Sequence, residues 1–243
     1  MNSPCPLDHI RIVLSHTSHP GNIGAAARAM KTMGLSALYL VDPKIFPDAE
    51  AQALASHATD ILQQAHVCTE LHQALDRTAL VAAVTARPRD LSHKVFDARQ
   101  GAQELVRAAQ LQPVALLFGR ESSGLTAAEV SKCQIIIHIP ANPDYPSLNL
   151  ASAVQVMAYE LRMALLEQAM PATAAEACPL ASFNELESLY AHLEELMITS
   201  GFLNPQQPKR LMPRIRRLFA RARLEKEEVQ ILRGILAALG KRW

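Results

Sequence analysis

Residues 114–125 read VALLFGRESSGL, an apolar run of five residues that ends in a polar loop between Gly119 and Gly124. Four other runs rich in Val, Ile, Leu and Ala have the same character: Ile10–Ser15, Ala37–Val41, Ala79–Thr85 and Ile135–Ile139. Continuous rather than alternating apolar runs are typical of strands that are buried on both faces of a parallel sheet. The sequence therefore predicts an α/β fold with a parallel sheet and helices on both faces.

Segments with helical periodicity separate the apolar runs, as parallel strands require. They are Gly24–Met33, Asp48–Ala55, Leu71–Leu75, Ala98–Ala109 and Thr126–Lys132. Gly34 stands where a helix C-cap is expected, and Thr126 with Glu129 matches a capping box. A longer helix is predicted over Leu150–Gln168, because apolar residues recur there every three or four positions.

The sequence changes character after residue 168. Small residues and prolines fill the next stretch, and three helices are predicted beyond it, over Asn184–Ser200, Lys209–Arg223 and Glu225–Leu239. The chain of 243 residues is long enough for one large domain and an appendage. We therefore expect a domain over residues 1–168, a linker over 169–180 and a small helical extension over 181–243.

The overall charge of +1 argues against a uniformly basic nucleic-acid-binding surface, but the charge is unevenly distributed. Residues 1–170 carry 13 Lys and Arg against 15 Asp and Glu, whereas residues 171–243 carry 11 against 8. The segment Lys209–Arg223 holds seven basic residues and no acidic one. Apolar residues are interspersed with these charges, so we expect a folded helix with one basic face that contacts phosphate.

Several classes of protein are disfavoured. The chain contains no run of 18 apolar residues, so no membrane-spanning helix is predicted, and the N-terminal residues lack the pattern of a secretory leader. The four cysteines are far apart and form no C-x-x-C pair, which favours a reducing cytoplasm over a disulfide framework. His16 and His19 lack further ligands at metal-binding spacing, so no metal site is expected.

Three polar loops follow apolar runs, at the edge where open α/β sheets bind ligands. They lie within residues 16–28, 117–125 and 139–150. In the first, Gly21 and Gly24 predict close approach of the backbone to a ligand, and the start of the following helix favours an anion such as phosphate. In the third, Ser147 or Asn149 can cap the helix that follows.

The order and spacing of these loops form a recognisable set. The patterns Asn22-x-Gly-x-x-x-Arg28, Leu117-Phe-Gly-Arg-Glu-x-x-Gly-Leu125 and Ile139-Pro…Ser147-Leu-Asn149 resemble the three motifs of the SpoU (TrmH) class of SPOUT RNA methyltransferases. The resemblance covers residues 8–168. The stretches RAMKTMG at 28–34 and ANPDY at 141–145 are similar to one branch of this class, which methylates the ribose 2′-hydroxyl of cytidine or uridine at position 32 in the tRNA anticodon loop.

The resemblance implies a trefoil knot in the domain, a homodimer, S-adenosylmethionine as cofactor and tRNA as partner. The cofactor-binding residues that it implies are Val84, Thr85, Ala86, Gly119, Glu121, Ile139, Pro146, Ser147 and Leu148. Val84 stands where relatives are expected to carry threonine, but backbone groups of such loops can bind an adenine edge whatever the side chain. The sulfonium already activates the methyl group, so the reaction requires no metal.

The same resemblance assigns activation of the 2′-hydroxyl to Arg28, with Asn22, Glu121, Ser147 and Asn149 positioning Arg28 and the ribose. Because arginine stays protonated in proteins, stabilisation of a developing oxyanion is physically easier for it than a role as base, and both remain open. RNA contacts are expected from Arg87 and Arg89 in the catalytic domain. In the extension they are expected from Lys209, Arg210, Arg214, Arg216, Arg217 and Arg221.

Three alternatives compete with this interpretation. A strand, Gly21, Gly24, a helix and Asp42 imitate the opening of a nicotinamide-dependent oxidoreductase, although the G-x-G core is missing. A non-catalytic RNA-binding module would leave the complete set of motif residues unexplained. Another enzyme of the same class, acting on ribosomal RNA or on a different tRNA position, is the broader alternative.

Overall fold

A computed structural model describes residues 5–86, 94–168 and 179–240. Seven strands form one sheet in the order β3-β2-β1-β6-β4-β7-β5. They are β1 (Ile10–Ser15), β2 (Leu38–Val41), β3 (His66–Cys68), β4 (Leu80–Val84), β5 (Lys94–Asp97), β6 (Val114–Phe118) and β7 (Ile135–His138). All six neighbouring pairs are parallel, which confirms the predicted parallel sheet.

Helices cover both faces of the sheet and make up the C-terminal part. Their bounds are α1 (Pro20–Met33), α2 (Ala49–Ala55), α3 (Thr59–Gln63), α4 (Leu71–Leu75), α5 (Ala98–Ala109), α6 (Ala127–Val130), α7 (Leu150–Gln168), α8 (Phe183–Thr199), α9 (Leu211–Ala222) and α10 (Lys226–Gly240). The predicted caps are confirmed: Gly34 is left-handed with φ of 83°, and Thr126 forms a capping box with Glu129. In the described ranges, no helix combines the length and apolar character that crossing a membrane requires.

Burial on both faces explains why the strands are continuously apolar. In β1, Ile12 and Leu14 belong to the hydrophobic cluster under α1, α5 and α7, whereas Val13 belongs to the cluster on the opposite face. All three are at most 1% exposed. Side chains alternate in direction along a strand, so a strand covered on both sides needs apolar residues at every position.

The two outer strands were not predicted. Strands β3 and β5 have three and four residues and lie at the two edges of the sheet. Val67 and Val95 within them are 58% and 59% exposed. An edge strand has a neighbour on one side only, and these two lack the continuous apolar run that marks the inner five.

Helix α1 begins at Pro20, earlier than the predicted Gly24, and this corrects the role of its glycines. Gly21 and Gly24 face α2 rather than a ligand: a Cβ on Gly24 would lie 2.0 Å from the carbonyl oxygen of Ala51. The expectation that these glycines admit a ligand to the backbone was therefore wrong. They allow two helices to pack closely.

The helical extension has a small core of its own. Ala181, Leu186, Leu189, Tyr190, Leu224 and Val229 are its buried members. Phe183 at the start of α8 packs against the core of the α/β sheet, and its amide donates to the Thr78 carbonyl at 2.6 Å. Arg223 pairs with Glu104 of α5 at 2.6 Å. The predicted division into domain, linker and extension stays a prediction, since most of the expected linker lies outside the described residues, and so does the knot.

The substitution Gly24→Ala tests the close contact of α1 and α2. We expect it to lower the free energy of unfolding by about 1–3 kcal/mol, because the added methyl would overlap with the Ala51 carbonyl. Urea unfolding followed by circular dichroism measures the effect. The matched control is Gly234→Ala in α10, where an added Cβ would have no neighbour within 4 Å apart from the nearby backbone of its own helix. There we expect the free energy of unfolding to rise by about 1 kcal/mol. Equal effects of the two substitutions would contradict this packing role.

Candidate active site

A partly enclosed pocket with a cavity volume of about 130 Å³ lies at the carboxyl ends of β4, β6 and β7. Its lining includes all nine residues predicted to bind a cofactor: Val84, Thr85, Ala86, Gly119, Glu121, Ile139, Pro146, Ser147 and Leu148. Three loops that are far apart in sequence therefore meet around one cavity. The sequence did not single out Phe118, Leu150 and Ala153, which also line it.

The segment from Gly119 to Gly124, here called the cofactor loop, forms one wall of this pocket. Arg120 and Gly124 exchange two backbone hydrogen bonds, of 3.3 and 2.9 Å, so the loop turns back on itself. A Cβ on Gly119 would lie 2.2 Å from the carbonyl carbon of Gly124. Gly124 has φ of 68°, a conformation that glycine adopts without strain. The two glycines thus permit the tight turn.

Glu121 fastens the cofactor loop to the first motif. Its carboxylate accepts hydrogen bonds from the Ser18 amide at 3.1 Å, the Ser18 hydroxyl at 2.8 Å, the His19 amide at 3.2 Å and the Asn22 side chain at 2.9 Å. Burial opposes ionisation, but these bonds from Asn22 and Ser18 lower the pKa of Glu121 to about 2. Glu121 is therefore a permanent anion at neutral pH.

This arrangement corrects the expectation of phosphate at the start of α1. The backbone amides of Ser18 and His19, just before the helix, donate to Glu121. The anion that the helix start attracts is thus a carboxylate of the protein itself. Glu121 has no proton to exchange near neutral pH, and its role is to position the first loop.

The third motif joins the same network. Asn149 donates its side-chain amide to Asn22 at 3.0 Å and caps α7 by accepting from the Ala151 amide at 2.9 Å. Ser147, two residues earlier, is exposed and lines the pocket. Asn22 therefore links Glu121 of the second motif to Asn149 of the third.

Arg28 stands apart from this network. It is exposed on α1 and is absent from the described residues that line the pocket. Six positions separate it from Asn22, which places it about 9 Å farther along the helix and 120° away around its axis. Glu121 and Ser147 thus line the pocket, and Asn22 and Asn149 are joined to Glu121 by hydrogen bonds, whereas Arg28 belongs neither to the lining nor to this network.

In the extension, four arginines occupy one face of α9 and its start. Arg210, Arg214, Arg217 and Arg221, here called the basic stripe, follow one another at steps of four, three and four residues. Met212, Ile215 and Phe219 lie on the opposite side and pack against the extension core. No ion pair engages the stripe among the parts of the chain that the structure describes. Lys209 is exposed immediately before it.

Three of the expected RNA contacts, Arg216, Arg87 and Arg89, do not belong to the basic stripe. Arg216 forms an ion pair with Glu187 and lies over the Tyr190 ring, 4.4 Å from its centroid. Because this guanidinium holds α9 against α8, we correct its assignment from phosphate contact to packing. Arg87 and Arg89 lie outside the described residues. The predicted basic helix is also shorter than expected, since Lys209 and Arg223 both have positive φ.

Sequence reasoning identified Glu129 only as the last member of a capping box. The structure adds Ser15, whose hydroxyl donates to Glu129 at 2.5 Å, and Arg120, whose guanidinium donates to it at 3.0 Å. The spacing that marks a capping box gives no indication of such distant partners. Over the described ranges, no group of three His, Cys, Asp or Glu side chains could hold a metal ion.

Two family models match separate parts of the chain. Residues 9–159 match the model of the SpoU rRNA Methylase family. Residues 184–243 match the model of the C-terminal domain of the tRNA methyltransferase TrmJ. The first match contains all three motif loops, and the second contains α9 and α10 with the basic stripe.

Individual relatives are similar over nearly their whole length. The tRNA (cytidine/uridine-2'-O-)-methyltransferase TrmJ of Klebsiella pneumoniae is 49% identical over 236 residues, covering 96% of this chain and 97% of that protein. The tRNA (cytidine/uridine/adenosine-2'-O-)-methyltransferase TrmJ of Pseudomonas aeruginosa is 48% identical, covering 97% and 95%. The crystal structure of TrmJ from Z. mobilis superposes with a TM-score of 0.83 at 34% identity, covering 95% of this chain and 98% of that one.

The lowered pKa of Glu121 predicts a pH-dependent contribution to stability. In the unfolded chain this carboxyl has the ordinary pKa of 4.5, against about 2 in the folded protein. Its contribution is therefore complete above pH 4.5 and is lost as the pH falls toward 2. We expect the Tm difference between the wild type and Glu121→Gln to be largest at pH 7 and to shrink over this range. Differential scanning calorimetry checks this.

The matched control for this pH series is Glu195→Gln, which removes an exposed carboxylate from α8. Its Tm difference from the wild type should be small at every pH. A difference for Glu121→Gln that stays constant between pH 7 and 3 would show that ionised Glu121 does not hold the first loop.

Proposed function

The chain belongs to the SpoU methylase family and carries a TrmJ-type C-terminal domain, and on this premise we propose that it methylates the ribose 2′-hydroxyl of cytidine or uridine at position 32 in the tRNA anticodon loop, with S-adenosylmethionine as donor. The observation that carries the proposal is the link from Glu121 through Asn22 to Asn149. It gathers three motif loops around one pocket.

The pocket residues suit S-adenosylmethionine in their chemistry. Val84, Ile139 and Leu148 offer apolar contact for an adenine ring, and the backbone groups of the surrounding loops can bind its polar edge. When bound, the cofactor supplies a methyl group activated by its sulfonium. The chain's own task is then to hold the loops in place and to admit the ribose.

Arg28 is the candidate for stabilising the 2′-oxygen as its proton leaves. A guanidinium keeps its charge in proteins, so it suits an oxyanion better than it suits proton removal. Since Arg28 is exposed and lies outside the pocket of its own chain, we propose that the enzyme is a homodimer in which Arg28 serves the pocket of the partner subunit. Two chains then complete each site.

The basic stripe is the candidate tRNA contact. Its four arginines span the 12 residues from Arg210 to Arg221, about 16 Å along the helix axis, which is long enough to contact two or three successive phosphates. The side chains project from the face opposite the extension core, so they can meet RNA without unfolding the extension. We place this activity in the cytoplasm, where the described cysteines remain as free thiols.

One pair of assays tests the proposal. Purified protein should transfer tritium from S-[methyl-³H]adenosylmethionine to tRNA, and the 2′-O-methyl group at position 32 should be missing from the tRNA of a deletion strain. Transfer to ribosomal RNA, or loss at another tRNA position, would reassign the substrate within the family. Binding of RNA without any transfer would support a non-catalytic module instead.

Replacement of Arg28 by alanine should abolish methylation while leaving cofactor binding intact. The reason is that Arg28 acts on the ribose oxygen and does not line the cofactor pocket of its chain. Single-turnover methylation and calorimetric titration with S-adenosylmethionine measure the two effects separately. Near-normal turnover by Arg28→Ala would remove this residue from the mechanism.

Neutralising the basic stripe should weaken tRNA binding without affecting the cofactor. For Arg214, Arg217 and Arg221 changed together to Gln, we expect about ten-fold weaker binding and a shallower salt dependence, because phosphate contacts release counterions. Filter binding between 50 and 200 mM salt measures both. The control Arg233→Gln removes an exposed arginine from α10 and should change neither. Equal affinities and slopes for all three proteins would exclude the stripe as the contact.

A further inference from the structure

Arg120 and Glu121 are adjacent in the cofactor loop, yet they have separate partners. Glu121 accepts hydrogen bonds from the first motif, whereas Arg120 donates its guanidinium to Glu129 at 3.0 and 3.3 Å. The loop is thus anchored at two successive residues by different parts of the fold. The motif accounts for the first anchor, but nothing in it explains the second.

Glu129 is almost completely buried, with 8% of its surface exposed, and three segments of the chain converge on it. The Thr126 amide donates to it at 2.6 Å, the Ser15 hydroxyl at 2.5 Å, and Arg120 completes the set. Burial opposes ionisation, but the bonds from Ser15, Thr126 and Arg120 lower the pKa of Glu129. A buried carboxylate is stable only when it is paired in this way.

Capping α6 does not require this arrangement. That helix has four residues, and the Thr126 side chain already satisfies one of its free amides. The extension provides a comparison, because Glu185 completes the same capping box with Ser182 at the start of α8. The side chain of Glu185 is 33% exposed, and the ammonium group of Lys226 lies 3.8 Å from its carboxylate. Glu129 is distinguished by its contacts with β1 and with the cofactor loop.

These contacts determine the shape of one pocket wall. The backbone of Arg120 is hydrogen-bonded to Gly124, and its side chain is paired with Glu129. Both parts of this residue therefore restrain the cofactor loop. Residues 119–124 line the pocket, whereas Glu129 does not. Among the described side-chain partners of Glu129, Arg120 is the one that lines the pocket, so it is the direct route from Glu129 to a bound molecule.

We propose that Glu129 is a positioning residue, which holds the cofactor loop in its binding conformation through Arg120 while anchored to the end of β1 through Ser15. This inference rests on the proposed function, in that the pocket binds S-adenosylmethionine. It assigns Arg120 to loop geometry rather than to contact with the ribose. Removal of the charge at Glu129 loosens the loop and weakens the cofactor complex, but it leaves the reacting groups unchanged.

The test is Glu129→Gln, which preserves side-chain size and acceptor oxygen but removes the charge. We expect about ten-fold weaker binding of S-adenosylmethionine in calorimetric titration, the effect of weakening one charge-assisted hydrogen bond. The kcat at saturating S-adenosylmethionine stays within about two-fold of the wild type. The matched control Glu185→Gln alters the equivalent cap in the extension and leaves cofactor affinity unchanged. A fall in affinity that is equal in both variants would reduce Glu129 to a general contribution to stability.

The partner variant Arg120→Gln decides whether the effect passes through Arg120, whose side chain is 26% exposed, against 10% for that of Glu129. It should weaken cofactor binding as Glu129→Gln does, and the double variant should be no weaker than either single one. Additive losses, or unchanged affinity of Glu129→Gln, would overturn the inference while the proposed function stands. If the wild type itself bound no S-adenosylmethionine, the proposed function would fail and this inference with it.

Discussion

The ionised carboxylate of Glu121 is the constraint on which the site depends. Four donors from Ser18, His19 and Asn22 converge on it, and Asn22 in turn receives the side chain of Asn149. Without this anion, the amides of Ser18 and His19 just before α1 would lose the carboxylate that accepts from them, and Asn22 would lose its link to the cofactor loop. One partly buried charge thus joins the cofactor loop to the first motif loop, and Asn22 extends the link to the third.

Arg120, the residue next to Glu121, fixes the cofactor loop through a second contact. Arg120 connects the cofactor loop to Glu129, and Glu129 connects it to Ser15 at the end of β1. Two side chains of opposite charge, adjacent in sequence, thus bind one short loop to two different parts of the fold. Loops built largely from glycine and serine gain a defined shape only when such external contacts restrict them.

Much of the fold could be predicted because its signals are local. Five inner strands were recognisable from continuous apolar runs, and the caps at Gly34 and Thr126 from single residues. The outer strands β3 and β5 lack that signal, since an edge strand is only partly buried. The glycines of α1 were misjudged because their neighbour, Ala51, is distant in sequence. Arg216 likewise could not be told from the stripe until its contact with Glu187 was known.

The sequence by itself determined the parallel sheet, the order of three motif loops and the separate basic extension, because periodicity, spacing and composition belong to the chain alone. Only the tertiary structure decided what each charge does. Glu121 became a partly buried anchor and Glu129 a buried one, Arg216 a packing residue, and Arg28 a side chain outside the pocket of its own chain. The physical reason is that the role of a charge depends on which distant groups surround it and how completely they exclude water.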